Sequence, residues 1–115
     1  MAVKVLREYG VNSKLDKYNL LIARGSSLMD LNGQRMNVRA YMIVEDTRDD
    51  GEIVKSFKAI IADGDEEQVV GTNSPVFIRG LETYLDFMET DELKTFMPVQ
   101  KMSSNGNKKY LTFNA

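Results

Sequence analysis

Apolar and polar residues alternate along residues 34–63 of this chain. Every second residue of Met36–Val44 is apolar, whereas the positions between them carry Asn, Arg, Tyr and Ile. Successive side chains of a β-strand point to opposite faces of its sheet, so this period of two predicts a strand with one buried face. Residues 53–63 alternate less regularly but also favour a strand. Asp50-Gly51 lies between the two segments and suits the positive φ angles of a tight turn, so we predict a long antiparallel hairpin.

The same period assigns each residue of the hairpin to a face. The apolar set of the first strand is expected to point into the core, and the intervening residues are then expected to point outward. Alternate residues of the second strand share that outward face. The predicted outward face therefore combines cations with aromatic rings: Arg39, Tyr41, Lys55 and Phe57.

The residues before the hairpin give weaker patterns. Residues 1–17 predict an N-terminal arm or an edge strand that could pair with a neighbouring subunit. Tyr18–Leu31 is apolar on both sides and predicts a first main strand, with a bulge or bend near Gly25. Asn32-Gly33 then predicts a tight turn into the hairpin.

A helix and a second hairpin are predicted after it. Ser74 suits a helix N-cap and Pro75 the first helical turn. Apolar residues recur at spacings of three and four from Phe77 to Met88, which predicts one apolar stripe. Thr95–Met102 and Lys108–Asn114 predict a closing pair of strands.

The resulting order of elements predicts a mainly β fold. Three strands, a helix and two strands match a five-stranded OB-fold-like antiparallel barrel with one α-helix between strands 3 and 4. We assign this OB-fold-like domain to residues 18–115 and the arm or edge strand to residues 1–17. An SH3-like barrel and an open sheet with one packed helix are the alternatives.

Composition argues against catalysis. The 115 residues include no cysteine and no histidine. Their absence removes thiolate zinc sites, the commonest metal ligand and the usual general base. Residues 63–67 are acidic but lack the spacing of an EF-hand. We therefore expect a protein that is not an enzyme and that uses no cofactor and no metal.

Hydropathy predicts no association with a membrane. A helix that spans a bilayer needs roughly 20 consecutive apolar residues. No apolar run of this sequence approaches that length, and the N-terminus does not resemble a signal peptide. A cytoplasmic location is the expectation.

Charge is distributed unevenly although the net charge is only −2. Residues 1–44 contain seven Lys/Arg and three Asp/Glu, whereas residues 45–68 contain three and nine. The acidic residues concentrate in the predicted turns, so the strands between them can still present a basic face, because screening limits the reach of a charge to about 8 Å.

These features together predict a surface for single-stranded nucleic acid. OB barrels bind extended ligands across strands 2 and 3, between two loops that here correspond to Asp30–Gln34 and Ser103–Lys109. Rings can stack on bases while cations hold phosphates. The predicted platforms are Tyr41, Phe57 and Tyr110, and the predicted cations are Arg35, Arg39, Lys55, Lys108 and Lys109.

Three stretches of the chain resemble a known family. LLIARGSSLMDLNGQRMNVRAYMIVED, TNSPVFIRGLETYLDFM and NGNKKYLTF are similar to small single-stranded DNA-binding proteins of bacterial viruses that infect Gram-positive hosts. The resemblance covers about 95 residues from Tyr18 onward and consists of hydrophobic and turn patterns. It implies an OB-fold, sequence-independent binding of single-stranded DNA in phage replication or recombination, and self-association into a homo-oligomer.

Two other functions are compatible with the same sequence. The nine acidic residues between Glu45 and Glu67 would suit a phage-encoded inhibitor of a host enzyme, with the acidic turns acting as a nucleic-acid mimic. A structural component of the virion, using the barrel for contacts between copies, is the third hypothesis.

Overall fold

One strongly curled, open β-sheet forms the framework of the molecule. The computed structural model describes residues 2–102, 106 and 108–115. The described residues form seven strands: β1 (Ala2–Tyr9), β2 (Ser26–Ser27), β3 (Met36–Thr47), β4 (Ile53–Asp63), β5 (Glu66–Thr72), β6 (Thr95–Met102) and β7 (Lys109–Asn114). They also form two α-helices, α1 (Lys14–Leu21) and α2 (Pro75–Phe87). The strand order is β2-β5-β4-β3-β6-β7, and β1 pairs with β3 outside this path.

The mainly β class is as expected, but the number of elements is not. We expected five strands and one helix between strands 3 and 4, whereas the described part of the chain has seven strands and a second helix. The long helix α2 follows the fifth strand of the chain and not the third. The N-terminal strand β1 pairs antiparallel with β3 of its own chain.

The largest correction concerns Tyr18–Leu31, which does not form a main strand. Tyr18 belongs to α1, and the segment continues through the two-residue β2 into a 3-10 turn. Ser13 starts α1 because its hydroxyl accepts a hydrogen bond from the Asp16 amide at 3.1 Å. Only Leu20 among the apolar residues of α1 is buried. Of the residues that we expected to be covered on both faces, residues 18–21 therefore lie on a helix with one covered side.

The predicted long hairpin is present as β3 and β4. The Arg48 amide donates to the Glu52 carbonyl at 2.8 Å across the turn. Gly51 adopts a φ of 87°. Glycine reaches this angle without steric cost. The alternation and the turn residues were thus sufficient to predict this element.

A β-bulge at Arg39 changes the face assignment within β3. Val38 pairs with Ile61 and Ala40 pairs with Ile60, so Arg39 is an extra residue on the β3 side. Before the bulge the even-numbered side chains of β3 face the main core, and after it the odd-numbered ones do. A one-residue shift of this kind moves every following side chain to the other face. The predicted faces are therefore wrong for the second half of β3.

Each face of the sheet is covered by one helix. The main core lies between the sheet and α2 and includes Tyr41, Phe57 and Phe77, which pack with Phe96 and the leucines of α2. A smaller cluster on the opposite face joins Leu20 of α1 to Ala40, Met42 and Ile60. The two helices thus lie on opposite sides of β3 and β4.

The C-terminal part of the fold agrees with the elements predicted from the sequence. The Ser74 hydroxyl accepts a hydrogen bond from the Phe77 amide at 3.4 Å at the start of α2, and Pro75 is its first residue. Strands β6 and β7 pair antiparallel as predicted. Within the described residues, no helix combines the length and the apolar character that crossing a bilayer requires.

Candidate functional site

Tyr41 on β3 and Phe57 on β4 were predicted to stack on bases, but their rings are buried in the main core. Tyr41 and Phe57 both have 0% of their surface exposed. The Phe57 ring lies 5.3 Å from the Phe77 ring and 5.8 Å from the Tyr41 ring, measured between centroids. The outward orientation that we predicted for them is wrong, because the bulge at Arg39 turns Tyr41 inward and Tyr41 shares this face with Phe57.

The Tyr41 hydroxyl is also part of the interior. It donates a hydrogen bond to the Asp91 carbonyl. Burial raises the pKa of Tyr41 above its ordinary value, and the negative charge of Asp91 adds to this effect. The residue therefore helps to hold the segment after α2 against the sheet.

The predicted cations of the hairpin, Arg39 and Lys55, form ion pairs with acidic side chains. Arg39 donates to both carboxylate oxygens of Asp16 and also to Glu67. Lys55 lies 3.0 Å from a carboxylate oxygen of Glu82. These contacts direct the two side chains toward protein carboxylates on different faces of the sheet.

Arg35 and the C-terminal residues of the predicted site have different locations. Arg35 is exposed, and its guanidinium donates to the Thr95 hydroxyl at 3.3 Å. Lys108 is exposed just before β7, and Lys109 and Tyr110 begin that strand. Most of the predicted flanking loop, residues 103–105 and 107, lies outside the described residues.

Lys109 and Tyr110 line a groove between the two ends of the curled sheet. The groove has a volume of about 690 Å³ and lies between β2 at one end of the sheet and β7 at the other. Its floor contains Ser56–Lys58 of β4 and the start of α2. The curl thus brings together residues that are far apart in the chain, such as Arg24 and Lys109.

The groove is basic although the chain is acidic. Arg24, Lys58 and Lys109 line it, and none of the described lining residues is acidic. Tyr110 is half-buried in its wall, and hydroxyl groups such as that of Thr72 add hydrogen-bonding capacity. This combination of cations, a ring and hydroxyls is suited to a phosphodiester chain with unpaired bases.

A short segment that we call the strap, residues 23–27, forms one wall of the groove. Lys58 Nζ donates to the Ala23 carbonyl, and Gln68 Nε2 donates to the Ser26 hydroxyl at 2.9 Å. A Cβ atom at Gly25 would lie 2.7 Å from the Val69 carbonyl oxygen. Only glycine therefore fits where the strap crosses β5. The predicted bend near Gly25 thus corresponds to a close approach of two backbone segments.

The surroundings of Lys58 affect the protonation of its side chain. Burial lowers the pKa of its ammonium group, because the low-dielectric surroundings disfavour the charged form. The N-terminus of α2 also opens onto the groove, which adds the positive end of a helix dipole. Burial and the helix dipole both disfavour the Lys58 ammonium ion. An anion bound in the groove would stabilise this ion and would therefore offset both effects.

A second depression adjoins the groove at Asn73 and Pro75, which line both. It has a volume of about 610 Å³ and contains Lys55 together with Arg48 and Arg79. Two glutamates also line it, so it is less basic than the groove. The fold therefore brings the predicted residue Lys55 near the groove through this neighbouring surface.

Sequence reasoning missed Arg24 and Lys58 as groove residues. Arg24 precedes Gly25 in a segment that we predicted to be a strand, and Lys58 occupies a face that we predicted to be buried. The signal that was available is the RGSS stretch, in which a cation is followed by a flexible residue and two hydroxyls. No cluster of three or more acidic residues suited to a metal ion occurs in the described ranges.

Comparisons with protein families, curated proteins and solved structures gave no match for this chain.

Proposed function

We propose that this protein binds single-stranded DNA, largely without sequence preference and without catalysis. The observation that carries the proposal is the groove between β2 and β7, where three cations and a tyrosine gather without an acidic neighbour among the described lining residues. Phosphates would lie along Arg24, Lys58 and Lys109. A base would stack on Tyr110.

The order of strands supports an OB-fold-like framework for this binding. If β3, β4 and β5 are counted as the first three strands, the helix α2 and the hairpin β6–β7 follow in the OB order. Residues Met36 and Asn37 of β3 pair antiparallel with β6, which begins to close the sheet into a barrel. In this frame β1 and α1 are additions at the N-terminus.

The position of the groove agrees with that frame. OB-folds bind ligands across their second and third strands and beside the loop between the last two. The second and third strands are then β4 and β5, which contribute Lys58 and Thr72 to the groove. Lys109 follows the loop between the last two strands.

The biological role that we propose rests on the sequence resemblance to phage single-strand-binding proteins. We infer a role in phage DNA replication or recombination, in the host bacterial cytoplasm. The buried rings Tyr41 and Phe57 have no part in this proposal.

Fluorescence anisotropy with a labelled thymine oligonucleotide of about 20 nucleotides tests the proposal, since OB-folds occupy about 4–16 nucleotides each. We expect binding that weakens with added salt and that exceeds binding to a duplex of the same length. Arg24→Ala with Lys109→Ala should weaken it, whereas Lys4→Ala, an exposed lysine on β1, should not. Absence of binding at low salt would overturn the proposal and favour the inhibitor hypothesis.

A further inference from the structure

Helix α1 directs an apolar stripe toward solvent. Leu15, Tyr18 and Ile22 lie three and four residues apart, so they share one side of the helix and of the residue that ends it. They are 66%, 55% and 67% exposed. A surface helix normally turns its polar residues outward. We call these three residues the α1 stripe.

The charges beside the α1 stripe are positive. Lys14 and Lys17 are exposed on the same helix. The one acidic residue of α1, Asp16, is turned inward to Arg39 and has only 7% of its side chain exposed. The exposed surface of α1 is therefore apolar with a basic border.

The C-terminal end of α2 presents the complementary surface. Phe87 is 84% exposed and Met88 is 52% exposed. The helix dipole places partial negative charge at this end. We call Phe87, Met88 and the neighbouring Glu89 the α2 end.

Acidic residues surround the α2 end. Arg7 pairs with Asp86 and Asp91, and Lys94 pairs with Glu92 at 3.1 Å. Four carboxylates, counting Glu89, thus accompany two cations. The surplus of negative charge matches the lysines beside the α1 stripe.

The two surfaces belong to helices on opposite faces of the sheet. Leu20 attaches α1 to the face of the sheet that carries Met42 and Ile60. Leu85 packs α2 into the core on the other face, which contains Tyr41 and Phe57. A contact between the α1 stripe of one copy and the α2 end of another leaves one surface of each kind unused.

We propose that copies of this chain associate head to tail through the α1 stripe and the α2 end. The occupant of each surface is a second copy, because both charge and apolar character are complementary between them. Such a heterologous contact produces an open chain or a ring, and not a closed two-fold dimer.

The consequence for DNA rests on the proposed function. Head-to-tail contacts between neighbours would make binding along a single strand cooperative. The self-association can be measured without DNA, so its failure is distinguishable from failure of DNA binding.

Sedimentation velocity on mixed variants tests the proposal. Wild-type protein should form species that grow with concentration, and Ile22→Ser or Phe87→Ser should reduce self-association by about 10- to 100-fold. An equal mixture of these two variants should form dimers and stop there, because each retains one intact surface. Ile53→Ser, which removes an exposed apolar residue elsewhere, should behave as wild type.

A charge exchange supplies the second measurement. Lys14→Glu with Lys17→Glu should weaken self-association, and adding Glu89→Lys should restore part of it. Circular dichroism checks that each variant is folded. A wild-type protein that stays monomeric up to millimolar concentration, or a variant mixture that stays monomeric, would overturn the proposal. The proposal would also be overturned if each single variant alone dimerised to the same extent as the mixture of the two.

Discussion

The guanidinium of Arg39 spans both oxygens of the Asp16 carboxylate, with Nη2–Oδ1 and Nη1–Oδ2 distances of 2.7 and 3.1 Å. Arg39 is the bulge residue of β3 and Asp16 lies in α1, so this pair fastens the helix to the sheet. The same bulge turns Tyr41 into the core. Arg39 thus both attaches α1 to the sheet and forms the bulge after which Tyr41 faces the core.

Removing Arg39 should destabilise the fold strongly. In Arg39→Ala the Asp16 carboxylate stays buried without its cation, and breaking such a pair costs about 3 kcal/mol. Lys55→Ala removes an exposed ion pair with Glu82 and should cost less than about 1 kcal/mol. Urea unfolding of both variants measures the difference. Equal losses would show that the Asp16 pair is not a structural contact of α1.

Acid should remove the contribution of Asp16 to stability. Hydrogen bonds from Arg39, aided by the Asn12 amide, lower the pKa of Asp16 from its ordinary value of 3.8 to about 2. The unfolded chain therefore binds a proton more readily than the folded one as the pH falls. The stability advantage of wild type over Asp16→Asn should be constant above about pH 5 and shrink between about pH 4 and about pH 2. A pH-independent difference would contradict this account.

Two substitutions at Tyr41 should separate its core role from DNA binding. Tyr41→Phe removes the hydrogen bond to the Asp91 carbonyl and should cost about 0.5–1.5 kcal/mol. Tyr41→Ala also leaves a cavity and should cost about 3–5 kcal/mol. Thermal unfolding measures both values. Folded Tyr41→Phe should bind the thymine oligonucleotide as wild type does, and a large loss of binding would mean that the ring reaches the DNA.

Glycine at position 89 should stabilise the protein. Glu89 follows α2 with a φ of 55°. Glycine adopts this left-handed conformation at lower cost, so Glu89→Gly should raise the free energy of unfolding by about 0.5–1 kcal/mol. Met88→Gly, one residue earlier where φ is negative, is the matched control and should lower it. If both changes destabilise, the left-handed conformation is not a source of strain.

Substitutions of the groove cation Lys109 and of the groove ring Tyr110 should affect DNA binding in different ways. Lys109→Ala should reduce the slope of log affinity against log salt by about 0.7, the value for one phosphate contact with a single strand. Tyr110→Leu should leave that slope unchanged and weaken binding by about 5- to 150-fold, which corresponds to about 1–3 kcal/mol for one stacked base. Anisotropy titrations at several salt concentrations measure both. Identical effects of the two substitutions would argue against separate phosphate and base contacts.

Only part of the predicted site lies in the groove. Lys109 and Tyr110 lie in the groove, and they belong to the closing strand that pairs with β6 as predicted. Arg24 and Lys58 were missed, since they become neighbours only when the strap crosses β5 and the sheet curls. Tyr41 and Phe57 were assigned to the wrong face.

Local pattern by itself determined the long β3–β4 hairpin, the helix that starts after Ser74 and the closing pair β6–β7. Alternation, capping and turn residues act within a few positions of the chain, so a single sequence is enough to predict their effects. It did not determine which side of β3 faces inward or that Tyr18 belongs to a helix. Only the tertiary structure decided these. The bulge at Arg39 exchanges the two faces of β3, and α1 is held through Asp16 by that same arginine, which lies well beyond the helix in the chain.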